Sequence, residues 1–263
     1  MDALCKERNK SERSGTFNGV LTVYRQSGRG RDVVLLHGWG QNKDMMRFIE
    51  EHLSSCFRVW NLDFPGFGES EQPPTAWSVS DYVTFLEAFI ADNGIQKPIL
   101  IGHSFGCRVA IRYAALHHDV CKMCLTGAAG IRRPLTARQK WKTACYHFGT
   151  SILKLLKQDA LLEKMRDHSG SGDYRHARGI MRSTLVKVVN DDVRPLLKDV
   201  QCPVLLVWGE MDDAVPVSVA RIMEAEMPNA ALAIFEGDDH FAYWHQAERF
   251  NRVLDIFLKE DVA

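Results

Sequence analysis

Ser104 stands between two glycines in Gly102-His103-Ser104-Phe105-Gly106, directly after the apolar run Pro98-Ile99-Leu100-Ile101. This spacing marks a tight strand-to-helix turn that presents a hydroxyl at its apex, a nucleophile elbow. A serine hydroxyl attacks a carbonyl at neutral pH only with help. It needs a base within hydrogen-bond reach, an acid to orient that base, and N–H donors for the oxyanion that develops. Three other stretches offer those groups. The run Val204–Trp208 ends in Gly209-Glu210-Met211-Asp212-Asp213, which makes Asp212 the candidate acid, with Asp213 as the alternative. The run Leu232–Phe235 ends in Glu236-Gly237-Asp238-Asp239-His240, which makes His240 the candidate base, with His245 as the alternative. The run Val33–Leu36 ends in His37-Gly38-Trp39-Gly40, where flanking glycines let the backbone approach a substrate closely. The N–H groups of Trp39 and Phe105 are the candidate oxyanion donors. That of Phe105 opens a helix whose dipole favours negative charge.

The neighbouring chemistry-bearing residues have plainer readings. His37 and His103 read as structural, hydrogen-bonded histidines, with His103 pointing away from the elbow. Cys107 reads as a small packing residue. After the run ending at Thr126 the chain continues Gly127-Ala128-Ala129-Gly130, with no carboxylate, which favours Asp212 as the acid.

The elements that must carry these groups follow from periodicity. Short, nearly continuous apolar runs at Val33–Leu36, Phe57–Leu62, Ile99–Ile101, Met123–Leu125, Val204–Trp208 and Leu232–Phe235 suit parallel strands covered on both faces. Thr22–Tyr24 suits an antiparallel strand at the start. Helix-length stretches lie between them, near 44–55, 79–93, 105–118, 216–227 and 241–258. The alternation predicts an α/β fold: a doubly wound, mostly parallel sheet with right-handed crossovers. In such sheets ligands sit beyond the carboxyl ends of the strands, where all five candidate residues fall. Residues 131–190 break the alternation and read as a helical insertion. Trp141, Cys145, Phe148, Ile152, Leu155 and Leu156 form one stripe, and Tyr174, Met181, Leu185 and Val188 another, with a Ser169–Gly172 loop between. The expected division is a core of 15–130 and 191–263 with the insertion at 131–190. Residues Met1–Ser14 are expected to fray or lie on the surface.

Composition narrows the function classes. The 263 residues carry no formal net charge, which gives no footprint for nucleic acid or an anionic membrane. The charge is unevenly placed: residues 131–187 hold thirteen Lys and Arg against four Asp and Glu. That bias fits a solvated outer face or, alternatively, a lid that favours anionic substrates. No apolar run has the roughly 18 residues a membrane span requires, and the charged first residues lack the apolar core of a signal peptide. The seven cysteines show no zinc-ligand spacing, and Cys121 and Cys124 fall on a strand-like run. Reduced thiols in a cytoplasm are the expected state. No metal or organic cofactor is called for.

Taken in order, His37–Gly40, Asp63-Phe64-Pro65-Gly66-Phe67-Gly68-Glu69-Ser70, Gly102–Gly106, Trp208–Asp212 with Val215-Pro216, and Asp239-His240 resemble the α/β-hydrolase superfamily across nearly the whole chain. The order Ser104, Asp212, His240 is that of its catalytic triad. The resemblance implies that the insertion is a helical cap over the site and that Asp63–Ser70 shapes the site entrance. A serine at the elbow sets the chain apart from the dehalogenase and epoxide hydrolase branches, which attack with aspartate. The layout is similar to small capped bacterial serine esterases and to carbon–carbon bond hydrolases of meta-cleavage products. The latter typically carry Asn before the serine and Trp after the histidine, where this chain has His103 and Phe241. Cys107 and Asp239 also replace glycines common in the superfamily. The expected activity is hydrolysis of small-molecule carboxylic esters, with carbon–carbon bond hydrolysis as the alternative. Trp141, Phe148 and Met181 are expected to line the substrate pocket, and the chain is expected to act as a monomer or homodimer. A non-catalytic binding protein of the same fold is the competing class, against which a complete Ser104, Asp212 and His240 set argues.

Overall fold

Apolar runs without alternation need two buried faces, and the sheet supplies them. The computed structural model describes residues 11–132, 141, 158, 161 and 172–261. Eight strands are present: β1 (Ser11–Phe17), β2 (Val20–Ser27), β3 (Asp32–Leu36), β4 (Arg58–Leu62), β5 (Ile99–His103), β6 (Lys122–Thr126), β7 (Val204–Gly209) and β8 (Ala230–Phe235). They form one sheet in the order β1-β2-β4-β3-β5-β6-β7-β8. β2 runs antiparallel to both its neighbours, and the pairings from β4 to β8 are parallel.

Side chains alternate between two cores. Val34, Leu36, Leu100, Leu206 and Trp208 face one, together with the helices α2 (Val79–Asp92), α3 (Phe105–His117) and Val217–Glu226. Val33, Leu35, Ile99, Ile101, Leu205 and Val207 face the other, under α1 (Arg47–Leu53) and the helix Ala247–Leu258. Each fully buried side chain of this size contributes about 1.5–3 kcal/mol. Local signals agree with this frame. Ser78 and Asp81 form a reciprocal capping box that starts α2. Phe250, Leu254 and Leu258 give the last helix its one buried stripe.

Residues 11–14 are paired rather than frayed, and Glu12–Ser14 lie on the surface as expected. β1 pairs with β2 from Ser11↔Gln26 to Phe17↔Val20 around Asn18-Gly19, whose φ values of 47° and 76° are those of a tight hairpin turn. The Asn-Gly pair is the sequence signal for this hairpin, but the polar β1 segment hides it.

In the span 131–190, helices run over Gly172–His176 and Gly179–Val189 among the described residues. The second buries Met181, Thr184, Leu185 and Val188. Its Thr184 Oγ1 accepts from the Trp77 N–H at 3.1 Å, and Lys187 Nζ donates to the Ala76 carbonyl at 2.6 Å. The chain on either side of that span meets where the Val193 N–H donates to the Gly130 carbonyl at 2.9 Å. Arg108 and Arg112 of α3 hold Asp191 at that junction. The stripe from Cys145 to Leu156, including Phe148, the residues Ser169–Ser171 and the segment Met1–Lys10 lie outside the described residues.

Candidate active site

Ser104 has φ 49° and ψ −104°, a conformation that L residues rarely adopt. Such strain costs on the order of 1–3 kcal/mol and persists only where the surroundings enforce it. Here the enforcement is backbone. The Ser104 N–H donates to the Thr126 carbonyl at 3.0 Å, and the Ala129 N–H donates to the Ser104 carbonyl at 3.3 Å. The flanking glycines have no room for a side chain. A Cβ on Gly106 would stand 2.0 Å from the Leu36 carbonyl oxygen, and one on Gly102 would stand 2.9 Å from the Cys107 nitrogen. α3 can therefore start directly beneath β3, with Ser104 at the turn. Cys107 is buried, its thiol is pushed well up by that burial, and its Sγ donates to the Thr126 carbonyl, as a packing residue would.

Asp212 and His240 come from loops after neighbouring strands. His240 Nδ1 lies 2.7 Å from Asp212 Oδ2, and Asp212 Oδ1 accepts from the Val215 N–H at 2.7 Å. The carboxylate is acceptor-only, so Nδ1 carries the proton and Nε2 is left with a lone pair. The Asp212 side chain has no solvent exposure, whereas Asp213 is exposed. His245, the other candidate base, instead bonds Asp238 at 2.7 Å, which raises its pKa. The two loops are also joined through their backbones: Glu210 N–H to Phe235 O, and Met211 N–H to Asp238 O. Asp239 turns its carboxylate to the Phe241 N–H at 2.8 Å. Asp238, Asp239 and His245 bring possible metal-ligand atoms within 4.8 Å of one another, but these hydrogen bonds occupy them.

The loop after β3 is set by His37. Its ring is fully buried; Nε2 accepts from the Phe64 N–H at 2.9 Å and Nδ1 donates to the Gly38 carbonyl at 2.7 Å. Burial pushes its pKa down to about 4, so the ring is a neutral strut. The rings of Trp39 and Phe105 meet with centroids 5.6 Å apart, which brings the two candidate donor residues together. Among the described residues, neither backbone N–H is taken by a backbone hydrogen bond. The loop Asp63–Ser70 is pinned from below. Asp63 accepts from Lys43 Nζ at 2.9 Å and from the Glu69 N–H at 2.9 Å, and Ser70 Oγ donates to the Asp63 carbonyl at 2.8 Å.

Of the expected pocket residues, Met181 is buried against Gly66 of that loop. Trp141 is 69% exposed, and Phe148 lies outside the described residues. Two further residues touch the candidate base. Gly127, with φ 51°, lies so close that a Cβ there would stand 2.9 Å from His240 Nδ1. His103 does not point clear of the site: its ring centroid is 4.8 Å from that of His240. A glycine after a strand was the visible signal for the first, read only as the lack of a carboxylate. Nothing local signals the second.

A sequence profile of the alpha/beta hydrolase family matches residues 33–253. The chain belongs to the alpha/beta hydrolase family. Among its relatives, a pimeloyl-[acyl-carrier protein] methyl ester esterase of Aliivibrio salmonicida is 26% identical, over 92% of this chain and 98% of the relative. A 2-hydroxy-6-oxononadienedioate/2-hydroxy-6-oxononatrienedioate hydrolase of Burkholderia vietnamiensis is 29% identical, over 90% of each. In structure, a bromoperoxidase from Bacillus anthracis superposes with a TM-score of 0.74 at 21% identity, over 95% of this chain and 100% of the other. This alpha/beta hydrolase thus shares its fold with enzymes of several chemistries. Among the described residues no helix is long and apolar enough to cross a membrane.

Proposed function

We propose that this hydrolase cleaves carboxylic esters of small molecules through an acyl-enzyme on Ser104. The observation that carries the reading is the 2.7 Å bond from His240 Nδ1 to Asp212, because it leaves Nε2 free to take a proton. Ser104 Oγ attacks the carbonyl as His240 Nε2 accepts its proton. Asp212 stays ionised and stabilises the imidazolium. The Trp39 and Phe105 N–H groups receive the oxyanion. The tetrahedral intermediate collapses as His240 returns the proton to the leaving alkoxide. Water then attacks the acyl-serine with His240 as base, releasing the acid and restoring Ser104. The insertion at 131–190 acts as a cap over the site, with Met181 packed against Gly66 of the entrance loop. The protein works without a cofactor, as a monomer or homodimer in the cytoplasm.

The Burkholderia relative favours a second reading, carbon–carbon bond hydrolysis by the same groups. His103 and Phe241 stand where the resemblance puts Asn and Trp in such enzymes, which weighs toward esters. A panel of p-nitrophenyl esters graded by acyl length, run beside a vinylogous diketone, separates the two. Turnover of the esters with an acyl-length optimum is expected. Turnover of the diketone alone establishes the second reading, and turnover of neither contradicts both.

A further inference from the structure

Beneath His240 lies another imidazole with two neighbours of consequence. His103 ends β5 and is fully buried, and its ring centroid lies 4.8 Å from His240, 4.6 Å from Tyr243 and 5.4 Å from Phe241. The ring also meets the loop after β3: a Cβ on Gly38 would stand 2.9 Å from His103 Cδ2. One ring therefore touches both the loop that carries the Trp39 N–H and the ring of the base.

Strand register brings a hydroxyl to one nitrogen of this ring. His103 lies opposite Thr126 in the β5–β6 ladder. The Thr126 hydroxyl donates its one proton to the Gly102 carbonyl at 3.2 Å and lies 3.0 Å from His103 Nδ1. In that arrangement the hydroxyl accepts from Nδ1, which then carries the hydrogen. Nε2 keeps its lone pair and is buried with no partner among the described residues. The titratable groups around the ring are His240 and Tyr243, which contact it, and His37 at longer range. Burial and the proximity of His240 hold its pKa well below 6.5. A cation in this place would repel the imidazolium that His240 must become.

We propose that His103 is a positioning residue, a neutral, Nδ1-protonated spacer that sets the separation between the oxyanion-donor loop and the His240 ring. The proposal rests on the catalytic reading of Ser104, Asp212 and His240. Reacting groups tolerate little displacement, and a misplacement of about 1 Å costs on the order of a hundredfold in rate. His103→Asn keeps a donor for Thr126 and deletes the ring. His103→Phe keeps a ring and deletes the donor.

The test follows the rate of phosphonylation of the full-length protein by a fluorophosphonate across pH, beside NMR of protein labelled with 15N-histidine. The Asn variant is expected to react about 10- to 100-fold more slowly with an altered pH profile. The Phe variant is expected to recover most of the rate, as a volume-conserving replacement should. In the wild type, Nδ1 of His103 is expected to resonate as protonated and Nε2 as unprotonated, unchanged from about pH 5 to 8. A wild-type rate and pH profile in the Asn variant overturns the proposal. So does a His103 ring that titrates in that range or carries its proton on Nε2. If neither variant folds, the wild-type spectrum still decides the tautomer. Wild-type protein that is not phosphonylated at Ser104 refutes the catalytic reading instead, and the spectrum separates the two failures.

Discussion

The elbow after β5 and the paired loops after β7 and β8 orient their groups by different means. Ser104 is fixed by backbone: a left-handed φ, two hydrogen bonds to the β6 end, and glycines with no space for a Cβ. The loops that carry Asp212 and His240 are also tied by backbone, Glu210 N–H to Phe235 O and Met211 N–H to Asp238 O, but the two functional groups are oriented through side chains, by their mutual bond and by contacts with Gly127 and His103. The elbow therefore cannot be altered without disturbing the sheet, whereas the acid–base pair can be altered with the sheet intact. The candidate nucleophile is part of the fold, and the candidate base is mounted on it.

The harshest break of this contrast is Gly106→Ala. Its Cβ would meet the backbone of Leu36 at 2.0 Å, where nothing flexible can yield. A loss of more than about 4 kcal/mol is expected, seen as insoluble protein or a collapsed urea midpoint. Wild-type stability in this variant would show that the elbow is not clamped as described. Asp212→Asn should do the reverse. Its Oδ1 can still accept from the Val215 N–H, but the amide cannot hold the Nδ1–H tautomer of His240. Turnover should fall on the order of 10⁴-fold with an unchanged thermal midpoint. Joint loss of fold and activity would erase the distinction between the two regions.

Gly127→Ala sits between the extremes. A residue with a side chain at φ 51° costs about 1–2 kcal/mol. The added methyl also presses on His240, so the rate should drop about 10- to 100-fold. Loss of stability alone, with normal turnover, would remove Gly127 from the site. The smallest effect concerns acid. His37 has a folded-state pKa of about 4 against 6.5 when free, so between those values the unfolded chain binds a proton that the folded chain refuses. Its contribution is fully present above 6.5 and is lost as pH falls toward 4. Between about pH 7 and 6 the loss is about 0.7 kcal/mol, measurable by urea unfolding. His37→Gln should remove that share of the slope; an identical slope would mean that the strut is protonated in the fold.

Legibility followed the same divide. Strands β3 to β7 announced themselves as apolar runs because both faces are buried, whereas β8, a half-buried edge strand, did so by composition. The residues at their carboxyl ends stood at known offsets: Ser104 after β5, Asp212 after β7 and His240 after β8. Hidden features depended on distant partners. Gly127 abuts His240 only because β6 lies between the elbow and the β7 loop. His103 reaches both Gly38 and His240 from a position that reads locally as the plain end of a strand. β1 is a polar edge strand whose pairing is decided by β2, so its own residues say little.

The central claim is that Ser104 is the nucleophile activated by His240. Fluorophosphonate labelling followed by peptide mapping tests it most directly. One adduct is expected on the peptide containing Ser104, absent in Ser104→Ala and formed far more slowly in His240→Ala. An adduct on any other residue, or labelling that survives Ser104→Ala, would contradict the account.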